Sequence, residues 1–258
     1  RYKIMTAFEK WKASRQADIL AAQGDVSLIA MHDIKEAMSV AEVAGTWAPT
    51  SENPGLTLTA TVADDLKING ELVDGVYKII ADETVVEAAD GRTMMATSQP
   101  ESNHLLAIWD MTCAARQNYV AIDTYAYNED AVFEGQLERD VQQTFSFSHT
   151  SDSAGTRQHE SIGEIVVEIE GQTYLLRPFA AGAYSIIVFR DMTSGSETYG
   201  TGRMLLIKPD ANGRVTLDFN YSFLPPCAFS PHFNCPMPPF SNRLKMAMTA
   251  GEKNVVWK

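Results

Sequence analysis

Leu56-Thr57-Leu58-Thr59-Ala60-Thr61-Val62 alternates apolar and hydroxyl side chains along its whole length. A strand turns successive side chains to opposite faces, so this period of two predicts a half-buried β-strand. Just downstream, Asn69-Gly70 separates Leu66–Ile68 from Glu71–Val73. That dipeptide tolerates the two positive φ angles of a type I′ hairpin, and Asp90-Gly91 repeats the signal. Further strand-type runs follow at 76–80, 84–88, 92–97, 104–109, 118–122, 132–147 with a break, 164–170, 172–176, 184–190, 203–208, 214–219, 244–248 and 253–257. Many strands joined by tight turns predict a mainly β chain, an antiparallel β-sandwich or barrel-like single domain.

Upstream the period changes. Ile4, Phe8, Trp11 and Ile19 mark one face of an amphipathic helix over 2–22, and 25–38 is a second helical candidate. The expected organisation is an N-terminal helical arm over 1–40 and an antiparallel β domain over 41–258. An apolar helix face must be covered, either by the domain's own sheet or by a second copy in a homodimer. His149–His159, rich in Ser, Asp, Gly and Thr, is expected to be an ordinary exposed loop.

With 33 acidic against 21 basic residues, the 258-residue chain carries a formal charge of −12. A charge of that sign repels polyanions, so nucleic acid and anionic membrane surfaces are not expected partners. The strongest apolar run, Ala183–Phe189, is far short of a bilayer span, and no charged-then-apolar leader opens the sequence. A cytoplasmic location is expected, although a start at Arg1 leaves a removed leader open.

Familiar catalytic motifs fail. Gly195–Gly200 has the glycine spacing of a P-loop, but Thr201-Gly202 stands where Lys-Ser or Lys-Thr is required. No nucleophile elbow and no His-Glu-x-x-His pattern occurs. Cys227, His232 and Cys235 have ligand-type spacing for zinc but lack a second close pair. No metal and no cofactor is expected, and reduced, packed cysteines are preferred over a Cys227–Cys235 disulfide.

A dense set of polar and proline residues remains. It runs through Asp191-Met192-Thr193-Ser194-Gly195-Ser196-Glu197-Thr198-Tyr199-Gly200-Thr201-Gly202-Arg203, Asp218-Phe219-Asn220, Pro225-Pro226-Cys227-Ala228-Phe229, Cys235-Pro236-Met237-Pro238-Pro239, Asn242-Arg243-Leu244 and Ala250-Gly251-Glu252. This run resembles the C-terminal signature of an uncharacterised bacterial and archaeal family, DUF1684. The match is dense over 184–253 and thinner upstream. The resemblance implies a shared fold and carries no activity.

Physically, the 12-residue connection between Arg190 and Arg203 is longer than a reversal of direction needs. Proline-dense 224–240 cannot be an inner strand, because each proline lacks an amide donor, so it is expected to wrap the surface. Two readings follow. In the first, Thr193, Thr198, Tyr199, Arg203, Asn220, Asn242 and Arg243 line a site for an anionic or carboxylate-bearing small molecule, with Asp191, Asp218 or Glu252 as base if chemistry occurs. In the second, the same groups only stabilise the fold of a noncatalytic structural or protein-interaction protein.

Overall fold

The computed structural model describes residues 5–51, 54–139, 144–153 and 155–258. Ile4 and the expected strand break at 140–143 lie outside the described residues. The chain forms two compact units, one from 1–16 together with 119–258, the other from 17–118. That division cuts across the expected boundary at residue 40 and splits the expected single β domain.

In the 17–118 unit, six antiparallel strands lie in the order Leu28–Asp33, Ser102–Trp109, Thr93–Gln99, Val85–Ala88, Leu66–Ile68, Glu71–Leu72. A second sheet orders Thr46–Pro49, Gly55–Ala60 and Gly75–Ile80. The alternation in the decisive strand is realised: Leu56, Leu58 and Ala60 are buried, Thr57 is half-buried and Thr59 is exposed. Leu56, Leu58, Trp47 and Ile79 from the smaller sheet share one core with Leu66, Val86, Met94, Leu106 and Ile108 from the larger. Two sheets closing over one core is sandwich-like packing.

Asn69 (φ 52°) and Gly70 (φ 81°) form the expected positive-φ pair. At the second signal only Gly91 is positive (φ 86°). There the Gly91 amide donates to Ala88 O and the Ala88 amide to Arg92 O, giving a longer loop in which glycine alone takes the left-handed position. The second helical candidate is not formed. Asp25–Ser27 is a single 3-10 turn, and Leu28–Asp33 is a strand paired with Ser102–Trp109. Pairing with a neighbouring strand overrides the weak local helical pattern.

The 1–16/119–258 unit contains a four-stranded sheet ordered Gln172–Leu176, Glu164–Ile169, Val132–Glu138, Arg214–Asp218. Phe179–Ala181, Tyr184–Phe189 and Arg203–Ile207 form a second sheet. Two strand pairs complete it: Tyr119–Thr124 with Glu252–Trp257, and Thr144–Phe147 with Arg157–Glu160. All these ladders are antiparallel, and no closed barrel forms among the described residues. Ile165, Leu176, Ile187, Phe189, Leu205, Leu217 and Phe219 centre the core.

The N-terminal helix spans Ala7–Ile19. Phe8 stacks on Trp11 at 5.7 Å, and both rings meet the Tyr221 edge, at 5.9 and 5.2 Å. The aromatic part of the face is therefore packed on the chain's own C-terminal segment. The expected strand at 244–248 is absent; there the Leu244 amide donates to Arg190 O and Met246 O accepts from the Met192 amide.

Candidate functional site

The connection between Phe189 and Arg203 folds around one carboxylate. Asp191 Oδ1 accepts from the Thr193 amide (2.8 Å), the Thr193 hydroxyl (2.5 Å) and the Met248 amide (3.3 Å). Thr193 O in turn receives the amides of Ser196, Glu197 and Thr198 at 2.9–3.1 Å, and the Thr193 and Thr198 hydroxyls lie 2.9 Å apart. Gly202 (φ +109°) closes the loop where any Cβ would stand 2.3 Å from Phe189 O. Only glycine fits that approach.

Arg203 enters this loop from below. Its Nη2 donates to Asp191 Oδ2 at 2.9 Å and to Met248 O at 2.8 Å, while Nη1 donates to Glu252 O at 3.1 Å and to Ala250 O. Both side chains of the pair are fully enclosed, at 0% exposure. The guanidinium also lies 5.2 Å from the Phe189 ring. A buried cation needs an opposite charge and partners for its donors, and here the protein supplies the carboxylate and binds both Nη atoms, while Nε has no partner among the described residues. Of these three carbonyls only that of Met248 lies in the segment expected as a strand at 244–248; Glu252 begins the strand that pairs with Tyr119–Thr124.

The other expected site residues are spread over separate places. Asn220 is wholly buried and mimics a peptide group: Oδ1 accepts from the Asn128 amide (2.7 Å), and Nδ2 donates to Asn128 O (2.8 Å). Asn242 does the same at another edge, accepting from the Arg177 amide at 2.8 Å and donating to Arg177 O and Val188 O at 2.9 and 2.8 Å. Asp218 accepts from the Asn220 amide at 3.0 Å, as a capping carboxylate does. Glu252, 1% exposed, binds the Leu224 amide (2.7 Å) and both Arg15 Nε (2.8 Å) and Arg15 Nη2 (3.1 Å). Thus Asp191, Thr193, Thr198 and Arg203 come together, but inside the protein. Arg243 is exposed, its guanidinium 5.8 Å from the Phe240 ring. Among these groups Arg203 and Asn242 are buried, Arg243 is exposed, and Asp218 and Tyr199 make contacts of their own.

Tyr199 leads to a different cluster. Its hydroxyl donates to Cys227 O at 3.0 Å and lies 3.8 Å from Cys227 Sγ. Burial, then the neighbouring Cys227, push the Tyr199 pKa up to about 12. The proline-rich segment that carries both cysteines is anchored by the Thr150 amide on Cys235 O (2.9 Å) and the Met237 amide on Ser148 O (2.7 Å). All three cysteines are thiols. His232 is exposed, and among the described residues no group of three His, Cys, Asp or Glu side chains could hold a metal ion.

The segment expected to be an exposed loop contains a buried histidine pair. His149 Nε2 and His159 Nε2 are 2.9 Å apart, and His149 Nδ1 faces Asn234 O at 2.9 Å. Burial, then His149, hold the His159 pKa down near 4. Strand pairing of Phe145 with His159 turns that ring inward beside Phe147, at 5.1 Å. The polar composition of 149–159 concealed it, although His159 sits in phase with Phe145 and Phe147 once the hairpin is recognised.

A family model described as "Protein of unknown function (DUF1684)" matches residues 117–253, just over half of the chain. The chain belongs to the DUF1684 family. No curated protein matches it. Among solved structures it is similar to the solution NMR structure of an uncharacterized protein from gene locus rrnAC0354 of Haloarcula marismortui. Identity is 30% over 54% of this chain and 78% of that one, with a TM-score of 0.44. No helix of the DUF1684 chain is long and apolar enough to cross a membrane among the described residues.

Proposed function

We propose that this DUF1684 chain acts by binding and not by catalysis, and that its exposed cationic surface around Asn242 receives a carboxylate-rich segment of a partner protein. The observation that carries this reading is a cluster of unneutralised cations on an acidic chain. Arg190 and Arg243 are bridge partners in the backbone, and the Leu244 amide donates to Arg190 O at 2.8 Å. Lys245 is exposed beyond them. None of the three has an ion-pair partner among the described residues. Phe240, 82% exposed, stands beside Arg243. Arginine with an unburied aromatic ring is the composition enriched at interface anchors.

In this reading Asn242 is a positioning residue, since it holds the backbones that present the cations. Asp191, Thr193, Thr198, Arg203, Asn220 and Glu252 stabilise the fold, and Arg243 keeps the anion-binding role expected of it. The test is fluorescence anisotropy of a labelled glutamate-rich peptide at low and high salt. Binding should weaken with salt and vanish in Arg190→Glu/Arg243→Glu. Binding that survives charge reversal unchanged rejects this surface. A free dicarboxylate that competes as well as the peptide returns the reading to a small-molecule site.

A further inference from the structure

We infer that Cys227 and Cys235 form a peroxide-reactive dithiol, with Cys227 the attacking and Cys235 the resolving thiol. The two residues are brought together by the proline-rich segment, and the Cys227 amide donates to Cys235 Sγ at 3.4 Å. Both line a cavity of about 10 Å³ together with Thr201, Gly202, Pro225, Pro236 and others. That is room for one water-sized group, and it favours a small hydroperoxide over a bulky disulfide. Cys227 is partly exposed, whereas Cys235 is 6% exposed, so an oxidant meets Cys227 first.

The Tyr199 hydroxyl lies 3.8 Å from the Cys227 sulfur. The neighbouring Cys235 thiol, foremost, and that hydroxyl bring the Cys227 pKa down to about 7 against the opposing effect of burial. An independent observation points to the same cavity: Thr201 Oγ1 is enclosed and has no well-formed hydrogen bond among the described residues. A hydroxyl left in that condition is available to a group entering the cavity. Structural cysteines packed in apolar surroundings show the opposite behaviour, a raised pKa and no donors.

The chemistry balances with a hydroperoxide as the two-electron oxidant. The Cys227 thiolate attacks the nearer peroxide oxygen, forming an S–O bond as the O–O bond breaks. The leaving oxygen departs as water or alcohol after taking a proton, and Cys227 becomes a sulfenic acid. The Cys235 sulfur then attacks the Cys227 sulfur, giving the Cys227–Cys235 disulfide and releasing water. Two thiols are oxidised and one peroxide is reduced.

The full chain, treated with one equivalent of hydrogen peroxide and mapped by peptide mass after alkylation, tests this directly. The expected product is a Cys227–Cys235 disulfide with Cys113 still alkylated. Cys227 should react about three- to fourfold faster at pH 7 than an ordinary thiol of pKa about 8.5, because its larger thiolate fraction is partly offset by the weaker nucleophilicity of a lower-pKa sulfur. Cys235→Ser should accumulate a trappable sulfenic acid at Cys227, and Thr201→Val should slow the reaction severalfold while leaving the thermal transition in place. Reaction of Cys227 no faster than free cysteine, or oxidation that stops at Cys227 in the wild type with Cys235 still a thiol, overturns the inference. These readouts do not depend on the acidic-partner reading.

Discussion

Asp191 and Arg203 hold the two ends of one loop in an ion pair that solvent does not reach, with Oδ2 and Nη2 2.9 Å apart. Removing one member strands the other, which typically costs about 3–5 kcal/mol. Arg203→Ala is therefore expected to destabilise by that amount in urea denaturation. Arg203→Met combined with Asp191→Asn should cost less than the sum of the two single changes. Additive effects would mean that the pair is not coupled.

The asparagine peptide mimics should be separable from it. Asn220→Ala and Asn242→Ala each leave buried backbone groups without partners, at about 1–3 kcal/mol per site. Asn242→Ala should also weaken acidic-peptide binding, while Asn220→Ala, matched in stability loss, should not. Equal effects of both on binding would assign the loss to general destabilisation.

Trp11 is half-buried against Phe8 and Tyr221. Trp11→Ala should cost about 1–3 kcal/mol, below the full-core range for this change. Light scattering before and after the substitution checks the homodimer alternative. An unchanged melting temperature with a halved mass would transfer this face to a subunit contact.

His159 makes stability pH-dependent. Its folded pKa near 4 lies below the ordinary 6.5, so the unfolded chain binds the proton first as pH falls. Stability from this group is complete above pH about 6.5 and declines between about 6.5 and 4. Thermal melts across that window should show the decline in the wild type. His159→Gln, which still offers His149 a hydrogen-bonding group, should flatten it, and an equal slope in both proteins would reject the assignment.

Gly202→Ala meets both a positive φ and the Phe189 carbonyl. The expected result is loss of soluble protein or a fall in melting temperature larger than that of Gly200→Ala, whose Cβ would meet nothing closer than 3.8 Å. Similar melting temperatures for the two would show that the loop relaxes freely.

What was legible in the sequence depended on how local its cause was. The alternation of the 56–62 run and the Asn69-Gly70 turn are decided by neighbours in the chain; the turn holds, and the alternation holds as far as Ala60, where the strand stops and Val62 enters an exposed 3-10 turn. At Asp90-Gly91 the dipeptide matched, but one more loop residue changed the turn. Around Arg203, the polar residues that belong together were recognisable, but not what they bind. Their main acceptors are carbonyls of Met248, Ala250 and Glu252, and every residue type carries the same carbonyl. One of the two boundaries between the units falls inside the Ala7–Ile19 helix, where no glycine, proline or shift in composition marks it. Arg190 and Lys245 escaped notice because a surface cation becomes informative only once its lack of a carboxylate neighbour is known.

The bidentate contact of Arg15 with Glu252 joins positions 237 apart in the chain. On a ribosome Arg15 emerges long before Glu252, with the whole of 17–118 made in between. The 17–118 unit is contiguous and can complete its sheets while the remainder is still being made. Residues 5–16 must wait through that interval with Phe8 and Trp11 uncovered until Tyr221 is made, and Arg15 waits longer still for Glu252, so this helix docks only after both sheets of the 17–118 unit exist.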